Sequence, residues 1–355
     1  MFWLKKIDKS VAYIIPLCHR KLRSNLNKEE TSARIEAINT CVYEFIKNQT
    51  GVNIELVFIE QVIDDEYYLK KIKDFESSNI RVKKISVKYP VFNKCWLYNI
   101  AVSHVKSDHI LFSEGDVFSK ENFFSRLVEY TTNLNLKWCF AWDKIYYTNE
   151  AERKALISGK NIFMSEKEFK IPEKHRREGG IVYIRKDFFK QIGGYNEWIE
   201  ELGGPDNDIA ARMFHHSKTY RKFSNTIIHL WHTRDVDKYK PTRKRNIVVM
   251  KITFESTSDV IKMLRRQRFG DIDGPLCSKA MFFDLPWFPI NLDTNKQKEP
   301  EVHEEPETQK EPEVHEEPAS KKRVKITKEL REKVILKRRK IAIANIIKKR
   351  KMRKF

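Results

Sequence analysis

Three short clusters carry side chains that do chemistry. The first is Glu114-Gly115-Asp116, which follows the apolar run Ile110–Phe112. Carboxylates at a strand end can hold a divalent cation, and that cation can neutralise a diphosphate. An ordinary acid-Gly-acid turn is the competing reading. The second is the stretch GGPDND, with Gly203 and Gly204 before Asp206, Asn207 and Asp208. Paired glycines permit close backbone approach and unusual dihedrals. Asp at a helix start is also ordinary capping. The third is HLWHTRD, which holds His229 and His232. Neutral imidazole is the commonest nitrogen ligand of Zn- and Mn-type ions. On a straight strand residues i and i+3 face opposite sides, so joint ligation requires a bend near His232.

The surrounding pattern predicts what positions these residues. Apolar runs at 11–17, 54–60, 80–87, 109–113 and 137–142 read as strands. Helical spacing fits 31–48, 64–78, 92–106 and 120–132, and 246–268 further on. This alternation implies an α/β fold with a mostly parallel sheet between helices. Ligands of such sheets bind at the carboxyl ends of strands, where Glu114 and Asp116 fall. Residues 150–178 are charged and weakly periodic and read as a loop. Residues 271–294, rich in Pro and aromatics, read as a segment wrapping over the body. The P-loop, G-x-S-x-G and H-E-x-x-H patterns are absent, which removes weight from the classes they mark.

Composition separates a body from an extension. The chain has 355 residues, 41% hydrophobic and 12% aromatic, enough to fill a core. The net charge of +20 is unevenly spread. Residues 321–355 hold 17 Lys/Arg against 2 Glu, whereas 295–320 hold 9 Glu against 3 Lys. The segment KEPEVHEEP occurs at 298–306 and again at 310–318. Such a Pro/Glu repeat builds no core and is expected to be a disordered, extended linker. The domain expectation is therefore a body at 1–294, a linker at 295–320 and a basic, helix-prone tail at 321–355. The tail suits nucleic acid, an anionic membrane surface or an acidic protein. Five scattered cysteines without a C-x-x-C pair fit a reducing compartment. The apolar run at 11–17 is short for a signal peptide and too short to span a bilayer. A cytoplasmic or virus-associated protein, unsecreted and without a transmembrane segment, is the expectation.

Taken in order, the motifs over residues 11–245 resemble the β-1,4-galactosyltransferase family and its relatives among GT-A-fold glycosyltransferases. PLCHR keeps Pro16 and Arg20 of a P-F-R-N-R-like segment, and FNKC gives Phe92, Asn93 and Lys94 in place of F-N-R-A. Glu114-Gly115-Asp116 stands for D-V-D, and LGGPDND for W-G-G-E-D-D-D. HTRD matches H-S-R-D through His232, with His229 at the place of another metal ligand. The resemblance implies a GT-A fold and a metal-dependent, inverting transfer of a hexose or N-acetylhexosamine from a UDP-sugar to a glycan or other hydroxyl acceptor. It implies Mn²⁺, or another divalent cation, held by Asp116, His229 and His232. Pro16, Arg20, Asn93, Lys94 and Glu114 would bind the donor, and Gly203, Gly204, Asn207 and Asp208 the acceptor. Asp206 would be the catalytic base. Leu202, Pro205 and Asn207 depart from the family's acceptor motif. Those departures keep open a rival reading, a catalytically inactive GT-A scaffold or sugar-binding protein whose tail binds nucleic acid or an anionic surface. Truncation at residue 295 separates the readings: sugar transfer by the shortened chain is expected to persist, and any nucleic-acid retention in a filter-binding assay to disappear.

Overall fold

The computed structural model describes residues 9–18, 28–47, 49–62, 68–119, 122–160, 162, 180–201, 203–217, 221–231, 240–267 and 269–275. The chain divides into two units, Met1–Pro289 and Ile290–Phe355, and all described residues lie in the first. The expected linker and tail lie outside the described residues.

Six strands form the main sheet in the order β3-β2-β1-β4-β8-β6. They are β1 (Ser10–Cys18), β2 (Asn53–Val62), β3 (Ile80–Lys88), β4 (His109–Ser113), β6 (Trp138–Phe140) and β8 (Ile181–Arg185). β3, β2, β1 and β4 are mutually parallel, and β8 runs antiparallel between β4 and β6. A second sheet joins β5 (Val117–Phe118), β9 (Thr226–His229) and β7 (Lys144–Tyr147). β1 and β4 are continuous apolar runs because helices cover both faces of this sheet. On one side α1 (Lys28–Ile46) and α4 (Phe123–Asn133) bring Phe45, Phe123 and Phe124 against Tyr13, with ring centroids 4.8–5.5 Å apart. Elsewhere α3 (Lys94–Ser103) places Tyr98 at a tilt against Phe112 and stacked on Tyr195, with centroids 4.6 and 4.8 Å apart. The remaining helices are α2 (Tyr68–Lys71), α5 (Glu150–Ile157), α6 (Lys186–Gln191), α7 (Pro205–His216), α8 (Lys240–Glu255) and α9 (Thr257–Arg266). Among the described residues, no helix is long and apolar enough to cross a membrane.

The α/β expectation holds, with local corrections. Within 64–78 the described helix is only Tyr68–Lys71, because Asp74, Ser77 and Asn79 turn the chain with their own side chains. The segment read as a loop opens with α5, which a capping box starts: Asn149 accepts from the Glu152 N–H and Glu152 accepts from the Asn149 N–H. The helix expected at 246–268 is two helices, with Ser256 between them. β8 was not foreseen, although Ile181–Ile184 is a short apolar run after two glycines. Of the expected wrapping segment, only 271–275 is described.

One buried ion pair fixes α7 against its neighbours. Arg212 Nε donates to Asp208 Oδ2 at 3.0 Å, and its guanidinium also bonds the carbonyls of Ile192 and Gly194. Thr253 of α8 and Asn196 donate to Asp208 Oδ1 at 2.6 and 3.2 Å. Arg212 and Asp208 are both essentially inaccessible to solvent. Removing one member of such a pair leaves a buried uncompensated charge. Arg212→Met is expected to lower unfolding stability by about 3–5 kcal/mol, read as a reduced midpoint in urea denaturation.

Candidate active site

β1 leads to β2 on one side and lies beside β4 on the other, so the direction of winding switches between β1 and β4. β1 pairs with β4 only over Ala12–Ile14, and the strands part beyond it. A crevice at such a switch point is the usual ligand position in an α/β sheet. Pro16 lies just past the paired stretch, where its missing N–H costs the β4 ladder nothing.

Glu114 and Asp116 leave β4 at this edge. Gly115 between them leaves little room for a side chain. A Cβ there would stand 3.3 Å from Ile15 of β1 and 3.3 Å from Ile38 of α1. The chain passes tightly over the core at that residue, and the flanking acids remain partly exposed. Asp116 and His229, over a hundred residues apart, meet through the small sheet. Val117 of β5 pairs with His229 of β9, and the Leu230 N–H donates to the Asp116 carbonyl at 2.9 Å. Ligand atoms of Glu114, Asp116 and His229 all lie within 4.8 Å of one another. His229 Nδ1 is 2.9 Å from the Leu230 carbonyl. A carbonyl only accepts, so the proton is on Nδ1 and Nε2 carries the lone pair, as in metal-ligating histidines. Two carboxylates and one imidazole form a donor set that fits Mn²⁺ or a similar divalent ion.

Next to this cluster stands Lys94, at the first turn of α3. Its Nζ is 3.1 Å from Glu114 Oε1 and 3.5 Å from Asp206 Oδ1. Burial alone would push the Lys94 pKa down; Asp206 and Glu114 more than offset that, so it is raised and the ammonium stays charged. The Asp206 carboxyl is pushed above the ordinary carboxylate range, by burial first and then by Glu114, against the pull of Lys94. A carboxylate with a raised pKa is a better proton acceptor. Asp206 owes its place to the turn before α7. Gly203 and Gly204 have φ of +90° and +106°, and Pro205 begins the helix. Asn246 of α8, fully buried, donates to the carbonyls of Glu200 and Gly203 at 2.7 and 3.0 Å and holds that turn.

Of the residues expected to act together, Lys94, Glu114, Asp116, Asp206 and His229 form one continuous arrangement. Two expectations need correction. Asn93, assigned to the donor, is fully buried and caps α3. Its Oδ1 accepts from the Trp96 N–H at 2.9 Å, and its Nδ2 donates to the Glu197 carbonyl at 2.8 Å. Asp208, assigned to the acceptor, is spent on Arg212, Thr253 and Asn196. Asn207 stays partly exposed beside Asp206. Arg20, Leu202 and His232 lie outside the described residues. Sequence reading missed Tyr147, paired in register with His229 and 5.1 Å from it between ring centroids. It also missed Asn246, since an Asn within a helix has no distinguishing spacing.

The sequence model of the glycosyltransferase-like family 2 matches residues 33–251, more than half of the chain. The chain belongs to this family. The match runs from α1 into α8 and includes Lys94, Glu114, Asp116, Asp206 and His229. No curated protein sequence matches this glycosyltransferase. Family membership and the mixed sheet together support the GT-A fold and transfer of a glycosyl group from a nucleotide-sugar donor to an acceptor. Enzymes of this fold typically use a divalent cation. For this glycosyltransferase, Gly204→Ala puts a Cβ at an unfavourable φ and 2.8 Å from Met250 Sδ. The variant is expected to lose about 1–3 kcal/mol of stability and much of its transfer activity, measured by thermal unfolding and product formation.

Proposed function

We propose that the protein is a metal-dependent, inverting glycosyltransferase that moves a hexose or N-acetylhexosamine from a UDP-sugar to a hydroxyl of a glycan or similar acceptor. The observation that carries this reading is the Glu114–Asp116–His229 cluster, with Lys94 joining it to Asp206. The order of motifs resembling β-1,4-galactosyltransferases supports the UDP-linked donor.

Glu114, Asp116 and His229 would hold the cation. When bound, it supplies positive charge against the diphosphate as the leaving group departs. Lys94 adds a fixed positive charge on the same side. Asp206 takes the proton of the acceptor hydroxyl as that oxygen attacks the anomeric carbon from the face opposite the diphosphate. A single displacement inverts the configuration. Gly203 and Gly204 carry no side chain into the acceptor's approach, and Asn207 offers an amide beside it. Pro205 and Asn207 depart from the β-1,4-galactosyltransferase acceptor motif, so the acceptor of those enzymes is not carried over to this chain.

The test is UDP release from a panel of UDP-sugars by the full chain, with and without Mn²⁺. One donor is expected to turn over only with the metal, and Asp116→Ala to abolish it. If no UDP-sugar binds in the presence of Mn²⁺, the UDP-sugar reading is wrong. Asp206→Asn is expected to lower kcat by about 10²–10⁴-fold while leaving the donor dissociation constant nearly unchanged, measured by steady-state kinetics and calorimetry.

A further inference from the structure

Glu114 belongs to two groups at once. One of its oxygens lies within the compact donor set with Asp116 and His229, and Oε1 is 3.1 Å from the Lys94 ammonium. Lys94 also lies 3.5 Å from Asp206. Its side chain is 15% exposed, against 35% for Glu114 and 27% for Asp206. The Lys94 side chain is therefore the least exposed of the three, and its ammonium is already seated between the two acids. A dication arriving at Glu114 and a lysine already there compete for the same carboxylate charge.

We propose that Lys94 is an internal counter-cation: it neutralises Glu114 until a divalent ion takes over that carboxylate, and it then stays paired with Asp206. Lys94 is in this sense a positioning residue. It lowers the affinity of the cluster for the cation and ties occupancy of the cation site to the surroundings of the candidate base. The inference rests on the cation-site reading given above. It differs from a donor-binding role for Lys94 in how its effect on the metal depends on Glu114. A lysine that repels the ion only through space tightens metal binding by the same factor when removed whether or not Glu114 carries its charge. Removal of an ammonium that competes for Glu114 tightens binding only while that carboxylate is charged.

The experiment is a Mn²⁺ titration of the full chain without any sugar nucleotide, followed by the loss of the free-ion electron paramagnetic resonance signal. Removing a unit charge several ångströms from the ion in a partly exposed site is worth about three- to tenfold in affinity. Lys94→Met is expected to bind Mn²⁺ tighter by that factor, and Lys94→Arg to bind like the unaltered protein. In a Glu114→Gln background the gain from Lys94→Met is expected to shrink or vanish, because the contested carboxylate charge is gone. Circular dichroism and thermal unfolding establish that each variant is folded. Two failures are distinguishable. If the unaltered protein binds no Mn²⁺, the cation-site reading falls and the inference with it. If it binds Mn²⁺, and Asp116→Ala weakens binding while Lys94→Met does not strengthen it, the cation site stands and the counter-cation role is wrong. Unchanged tightening in the Glu114→Gln background also overturns it, since Lys94 then does not act through Glu114. If Lys94→Met does not fold, Lys94→Gln, also uncharged, takes its place: tighter Mn²⁺ binding than the unaltered protein upholds the proposal, and equal or weaker binding overturns it.

Discussion

The buried amide of Asn93 ties together the pieces that make the site. Its Oδ1 caps α3, its Nδ2 reaches the Glu197 carbonyl, and its backbone N–H donates to Gln61 Oε1 at the end of β2. A polar side chain without solvent access is retained only where its hydrogen bonds are satisfied. Here those bonds fix the start of α3 against the carboxyl edge of the sheet and against the chain leading to α7. Lys94 is the next residue. Its ammonium can lie between Glu114 and Asp206 because Asn93 has fixed the turn from which it projects.

The site also depends on two pieces of backbone geometry. Gly115 passes so close to Ile15 and Ile38 that any side chain there would press on the core, which leaves the two neighbouring acids at the rim. The short β5–β9 pairing then delivers His229 beside Asp116, and the Leu230 carbonyl sets its tautomer. Beside Asp206, left-handed dihedrals at Gly203 and Gly204 turn the chain into α7, and Asn246 holds that turn from α8. Each contact is ordinary in kind. Their convergence at one strand switch point puts them where ligands of α/β sheets usually bind.

Electrostatics within the site is a balance among close opposite charges. Two acids share one ammonium in a partly buried setting, where attraction is stronger than at an open surface. The Asp206 carboxyl is pushed up by burial and by Glu114 and pulled down by Lys94, with a net rise. Asp208, two residues on, shows the opposite use of the same side chain. It is fully buried against Arg212 and serves the packing of α7 and α8. Two aspartates of one motif therefore have different work, set by which way the helix turns each of them.

Much of this was legible in the residues alone. Alternating apolar runs fixed the α/β class and the parallel strands, because period and run length follow from burial on both faces. The order of Glu114-Gly115-Asp116, the Gly-Gly-Pro-Asp turn and His229 singled out residues that the fold brings close together. The meeting of Asp116 with His229, the bridge made by Lys94, and the withdrawal of Asn93 and Asp208 into structural bonds were decided by tertiary structure. Spacing along a chain says which face of an element a side chain takes. Whether that face meets solvent or another element depends on strand order and helix packing, contacts between residues far apart in sequence.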